Sequence, residues 1–283
     1  MSGSAAKVAR RRALNLVFVA FCMVVIAIAL LALIAILWTL FSKGLVGINP
    51  DVFVRATPAP NSHGGLANAI LGSIGMCVMG MAMATVVGVL AGTWLAEYGR
   101  KSRYATVVRF LNDVLLSAPS ILVGLFIYEI LVAPFHSFSA LAGGVALAVL
   151  AIPVVTRTTE DVLALQPATL REAGVALGAP LALIVREVLW RAGRNGILTG
   201  LLLAFARISG ETAPLLFTAL NNQFFNFNPL KPTANLPVVI FNFALSPYDD
   251  WRRLAWVGAL LIAATVLAVT VVARIVAREP RRP

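Results

Sequence analysis

The sequence predicts an all-α integral membrane protein with six transmembrane helices and both termini cytoplasmic. Three observations carry the prediction. The chain of 283 residues is 60% hydrophobic and 12% charged, with a mean hydropathy of +0.90, whereas soluble domains are about half apolar and a quarter charged. Six stretches approach the roughly 20 residues that cross about 30 Å of hydrocarbon. With the N-terminus inside, sixteen Lys and Arg fall on cytoplasmic segments and five on external ones, the bias that orients membrane helices. The formal charge of +11 is therefore read as cytoplasmic anchoring and not as a nucleic-acid footprint.

Residues 1–12 form a basic cytoplasmic tail containing "KVARRR". The tail looks like a signal-peptide n-region. However, the run after it, Ala13–Phe41, has 29 residues, about twice the length of an h-region, and no A-x-A site is evident. It is read as a retained first span. An external loop, 42–65, leads to the second span, 66–96, in which Gly80, Ala84, Gly88 and Gly92 recur every four residues. They make one stripe against which another helix backbone can lie closely. The third span, 107–131, carries Arg109, Asp113 and Glu129. Arg109 and Asp113, four apart, are expected to pair. Asp113 and Glu129 are read as structural charges that reach water near the span ends. Pro119, between Ser117 and Ser120, is expected to kink this helix.

The fourth span is 139–156, the fifth 196–220 and the sixth 254–273, with a cytoplasmic tail at 276–283. Cys22 and Cys77 lie inside apolar runs without metal-ligand spacing, and no disulfide is expected there. His63 and His136 stand apart from other ligating residues, so no metal site is expected.

Between the fourth and fifth spans lie about 38 residues, 157–194, long for a connection inside a bundle. "TLRE", Thr169–Glu172, fits a capping box. The helix it opens is expected to stop near Gly178, and Pro180 to start a second short helix, "PLALIVREVLWRA". An interfacial helix would need a stronger apolar face opposite its basic residues. A docking helix for another protein explains the segment better. Outside, 221–251 is long and aromatic; a fold over the outer gate, a meeting with a solute-binding protein and simple packing of the loop all fit it.

"ARISGETAPLLF", Ala206–Phe217, places Arg207 and Glu211 four residues apart in the fifth span. Arg207 is eleven residues beyond Gly196, roughly 16 Å at 1.5 Å per residue, near the middle of the membrane. A central charge costs about 2.5–3.5 kcal/mol on insertion scales. The two could form an ion pair that fixes packing, although Arg before Glu is the poorer order. Pro214 lacks an N–H and crowds the carbonyl of residue 210, here the pliable Gly210, so the helix is expected to open between them. Irregular backbone at this depth needs protein or a water-filled cavity around it. Arginine offers a fork of donors suited to an oxyanion. Ser209 and Thr212 could add hydroxyls, and Glu211 could compensate the empty site and limit anion affinity.

Two resemblances join these pieces. "EAGVALGAP" resembles the EAA loop of type I ABC importer permeases: Glu172, Ala173, Gly178 and the aliphatic Val188 match, while Gly174, Trp190 and Arg191 replace Ala, Leu and Pro. The resemblance implies that fold, and an ATPase-coupling role for Glu172, Ala173, Gly174 and Gly178. "GILTG" with "ARISGETAPLL", "LNDVLLSAPSILVGLF", "TRTTEDVLALQPATLREAGVALGA" and "LPVVIFNFALSP" are similar to the PstA family of phosphate-importer permeases, across most of the chain from Leu66. A permease domain at 66–275 follows. So do the partners: an ATPase subunit dimer, a PstC-like sister permease, an external phosphate-binding protein and membrane lipid. ATP and Mg would belong to the ATPase, because this chain has no G-x-x-x-x-G-K-[ST] and is expected to bind no cofactor and to be no enzyme. A permease for molybdate, sulfate or phosphonate, a passive channel and a membrane-embedded enzyme remain as alternatives. The last would need clustered His, Cys or carboxylates.

Overall fold

The computed structural model describes residues 2–99 and 102–277, and every regular element in them is helical. Of the basic residues used for topology, Arg100, Lys101, Arg278, Arg281 and Arg282 lie outside the described residues. The long helices are α1 (Ser2–Val46), α3 (Ala67–Thr93, prolonged by a π-helical turn to Tyr98), α6 (Ala140–Ala164) and α12 (Asp249–Ala277). The one-turn α2 (Asp51–Val54) lies between the first two. These four are apolar and long enough to cross a membrane, and a bent pair makes up to five.

That bent pair is α4 (Arg103–Ser117) and α5 (Ser120–Ile127, prolonged by a π turn to Val132). The kink expected at Pro119 is a break of 104°. Ala118 is extended, at φ −66° and ψ 134°, because the residue before proline is driven out of the helical region. The Arg109–Asp113 pair does not form. Asp113 is exposed, and Arg109 instead donates to Glu160 of α6 at 2.7 Å and to the Leu95 carbonyl at 3.3 Å.

The small-residue stripe of α3 lies against α6. A Cβ on Gly80 would come 3.0 Å from the Gly144 carbonyl, one on Gly88 2.7 Å from Val155 Cβ, and one on Gly92 2.5 Å from the Thr156 carbonyl. Rising numbers meet rising numbers, so α3 and α6 run parallel, and α4–α5 must carry the chain back between them. α9 (Trp190–Ile208) runs antiparallel to α6, with Gly196 over Val162 and Gly200 over Thr158. α12 is antiparallel to α9, through Thr199 and Ala273, and to α1, through Gly44 at Leu260 and Gly47 at Val257. The central core joins α3, α5, α6 and α10 (Ala213–Thr218) around Met76, Ala84, Ile127, Leu147 and Leu215.

The segment 221–251, expected outside, is more ordered than a loop. Asn222, Asn226 and Asn228 each accept the backbone N–H two residues on, a run of Asx turns. Asn235 caps α11 (Leu236–Ala244) by accepting from Val238 N at 2.9 Å. Asn68 of α3 ties the segment down through the Asn222 carbonyl at 2.9 Å. Phe224 and Phe227 remain 76% and 82% exposed, so the aromatic part is only partly packed.

Candidate functional site

The residues singled out in the sequence fall in two places: the interruption after α9, and the helical unit around α7 (Ala168–Ala176). At the first, α9 ends at Ile208 and α10 begins at Ala213. The connection is a tight turn, with Glu211 N donating to the Ile208 carbonyl at 3.2 Å. Pro214 stands in the first turn of α10, where its missing N–H costs nothing. Its backbone lies against α5 so closely that a Cβ on Gly124 would come 2.6 Å from Pro214 Cα.

The interruption removes the geometry on which an Arg207–Glu211 pair depended. A spacing of four faces two side chains together only inside one helix, and here the helix stops between them. Among the described residues, no ion pair joins either group to a partner. Arg207 is exposed and Glu211 half-buried. Ser209 donates back to the Ala206 carbonyl at 2.8 Å and lines a cavity of about 240 Å³ with Ser73, Cys77, Phe205 and Thr265. Thr212 and Gly210 line a separate, open apolar groove beside Leu37, Phe41 and Ile262. Arg207 and Glu211 line neither, so these two cavities do not bring the four residues together.

In the second cluster, α7 is followed by α8 (Leu181–Ile184), which passes through a π turn, Val185–Leu189, into α9. The expected second short helix is therefore the beginning of α9. The capping box is also absent. Thr169 and Glu172 lie inside α7, whose cap position is Pro167 and carries no side-chain bond; an extended proline at ψ 139° starts the helix one residue before Thr169. The far end does stop at Gly178, in the left-handed region at φ +73°. Gly178 N donates to Val175 O at 2.9 Å and Ala179 N to Gly174 O at 3.1 Å, the paired bonds of a Schellman cap. Gly174, at the place of the motif's second alanine, faces Ile184, whose Cγ1 would be 2.7 Å from a Cβ there. Glu172, Ala173 and Gly178 are exposed, as are Val175 and Leu177, at 64% and 87%.

Sequence reasoning missed the charges that hold this unit. Arg171 grips Glu97 through both carboxylate oxygens, at 2.6 and 2.8 Å, and the side chains are 15% and 3% exposed. The hydrogen bond to Glu97 holds the Arg171 guanidinium above its ordinary range, against the opposing effect of burial. Trp190, where the motif has leucine, donates to Thr93 of α3 at 3.1 Å. The only sequence signal was an acid in the last turn of a long apolar helix, and its partner lies 74 residues away.

The family described as binding-protein-dependent transport system inner membrane component matches residues 84–282. The phosphate transport system permease protein PstA of Haemophilus influenzae is 53% identical over 250 residues, 88% of this chain and 89% of that protein. PstA of Yersinia pestis is 50% identical over 271 residues, 95% of this chain and 92% of its own length. The probable PstA of Methanocaldococcus jannaschii is 35% identical, over 86% of each chain. Among solved structures, an inward-facing MetNI methionine ABC transporter covers 75% of this chain and 96% of its own, with a TM-score of 0.61 at 20% identity, a likeness of fold. Parallel α3 and α6, an arginine-bearing interrupted helix and a helical excursion between α6 and α9 belong to a multi-pass permease domain of the inner membrane. The chain belongs to the PstA family of phosphate transport system permeases, within the binding-protein-dependent inner membrane components.

Proposed function

We propose that this chain is the permease subunit of an ATP-driven importer that moves inorganic phosphate across the inner membrane by alternating access. The observation that carries the site is Arg207: an exposed guanidinium without a carboxylate partner among the described residues, at the end of an interrupted helix in the membrane. Lipid is a poor surrounding for such a group. A sister permease facing it across a wet pathway, with a multivalent anion passing between, supplies what it lacks. Arginine stays charged and matches phosphate oxygens in pairs. Glu211, four residues further on in the interruption, shortens the anion's stay by repulsion. Ser209 and Thr212 reach the anion only if the interruption rearranges, which the pliable Gly210 and the fixed Pro214 favour.

The domain is 66–275, with 13–41 as an additional first span and the coupling segment at 157–194. The chain crosses six times, by α1, α3, α4–α5, α6, α9–α10 and α12, with both termini in the cytoplasm. The alternating directions of these helices support that path. Partners are two ATPase subunits, which hold ATP and Mg, a PstC-like permease and an external phosphate-binding protein. Exposed Glu172, Ala173 and Gly178 meet the ATPase. The test is labelled-phosphate uptake by assembled complexes carrying Arg207→Gln or Glu211→Gln. Loss of uptake in Arg207→Gln is expected; unchanged uptake in both would return the two residues to a packing role.

A further inference from the structure

Among the described residues, two largely buried ion pairs, Arg171–Glu97 and Arg109–Glu160, lie away from the interrupted helix, near α7. Arg171 spends its donors on two helix ends. Nε and Nη2 hold the two oxygens of Glu97, at 2.8 and 2.6 Å. Nη2 also reaches the Leu163 carbonyl at 2.8 Å, and Nη1 the Gln166 carbonyl at 2.9 Å. Those carbonyls close the C-terminal end of α6, where helical partners run out. Glu97 belongs to the π turn that ends α3. The same turn is held from the other side: Arg109 of α4, paired with Glu160 of α6, donates to the Leu95 carbonyl. Two arginines therefore converge on the end of α3.

The rest of α7 is lightly attached. No residue of α7 is buried. Leu170 rests on the small core of Ala96, Leu163, Ile184, Val185 and Leu189, and Gly174 lies on Ile184. Besides the chain itself and these two apolar contacts, Arg171 ties the exposed surface of α7 to the bundle, and it does so by directional bonds. A planar two-pronged bond resists rotation as well as separation, which a point charge does not. Above Glu97, the close α3–α6 seam passes displacement onward as a rigid pair.

We propose that Arg171 and Glu97 are the positioning pair that converts movement of α7 into movement of α3 and α6, so that ATP hydrolysis and transport stay in step. This rests on reading the chain as the permease of an ATP-driven importer. The test reconstitutes the whole complex in vesicles with binding protein and measures phosphate moved per ATP hydrolysed. Arg171→Gln lowers that ratio by about tenfold, within the ordinary range of coupling between sites, and Arg171→Lys lowers it less. Should Arg171→Gln fail to assemble, Arg171→Lys, which keeps the charge and loses the fork, carries the test. A merely structural pair would change yield or melting and leave the ratio alone. A ratio unchanged in every variant that assembles, beside a working wild type, overturns the clamp. A wild-type complex that moves no phosphate overturns the functional reading beneath it.

Discussion

Replacing Gly92 by alanine adds one methyl group at the tightest point of the α3–α6 seam. Its carbon would lie 2.5 Å from the Thr156 carbonyl oxygen and 2.7 Å from Thr159 Cβ. Carbon–oxygen contacts settle at about 3.3 Å or beyond, so the helices must part by roughly 0.8 Å. Neither obstacle is the end of a flexible side chain. Overpacking costs about 1–3 kcal/mol, here toward the upper end because backbone must move. Alanine recovers about 1 kcal/mol of helix propensity over glycine, leaving a net loss of about 2 kcal/mol. Gly75, on the same helix, has nothing within 4 Å of its Cβ position, so Gly75→Ala gains about 1 kcal/mol. The same chemical change thus has opposite signs at two sites, separated by about 3 kcal/mol, or on the order of 10 °C in Tm. Thermal unfolding of the complex in detergent, followed by tryptophan fluorescence, reads the difference. Variants melting within about 1 °C of each other would refute the close seam.

Other outcomes follow from single contacts. Gly178→Ala meets no atom within 4 Å, so its cost is conformational, about 1–2 kcal/mol for the left-handed backbone; Gly178→Asn costs less, and melting curves separate the two. Arg109→Ala strands Glu160, whose side chain is only 12% exposed, and costs about 3–5 kcal/mol; the double change to methionine recovers most of the melting temperature. Hydrogen bonding from Arg186, with the charge of Arg191 beside it, holds the Glu187 carboxyl below its usual range. Its contribution is present at neutral pH and disappears as pH falls through that lowered value. Glu187→Gln therefore lowers Tm slightly at pH 7, since exposed pairs contribute little, and its difference from the unsubstituted protein disappears in acid, so the acid limb is flatter.

Features that depend on local spacing were legible in the sequence. The stripe from Gly80 to Gly92 repeats at helical intervals, and its close packing against another helix follows from residue size, though not which helix it meets. Gly178 ends α7 because a left-handed residue is needed there. Pro119 signalled an interruption, but its size, 104°, depends on what α4 and α5 pack against. Features that depend on distant partners were not legible. Arg109 had Asp113 nearby in sequence and chose Glu160, 51 residues away, because α6 brings that carboxylate to it. Thr169 had the right neighbours for a cap and fell inside the helix that Pro167 had already started. Arg207 and Glu211 kept their spacing but lost the helix that would have joined them. Glu172 and Ala173 were singled out through the resemblance and lie exposed on α7, whereas the pair that anchors α7, Arg171 with Glu97, has no local signature.

The central claim is that this chain carries phosphate inward on ATP. The most direct measurement reconstitutes it with its ATPase, sister permease and binding protein, and follows labelled phosphate into vesicles with and without ATP, against unlabelled molybdate, sulfate and phosphonate. The account predicts ATP-dependent accumulation, competed by phosphate and not by the other oxyanions, and lost in Arg207→Gln. Uptake without ATP, or stronger competition by another oxyanion, would contradict it.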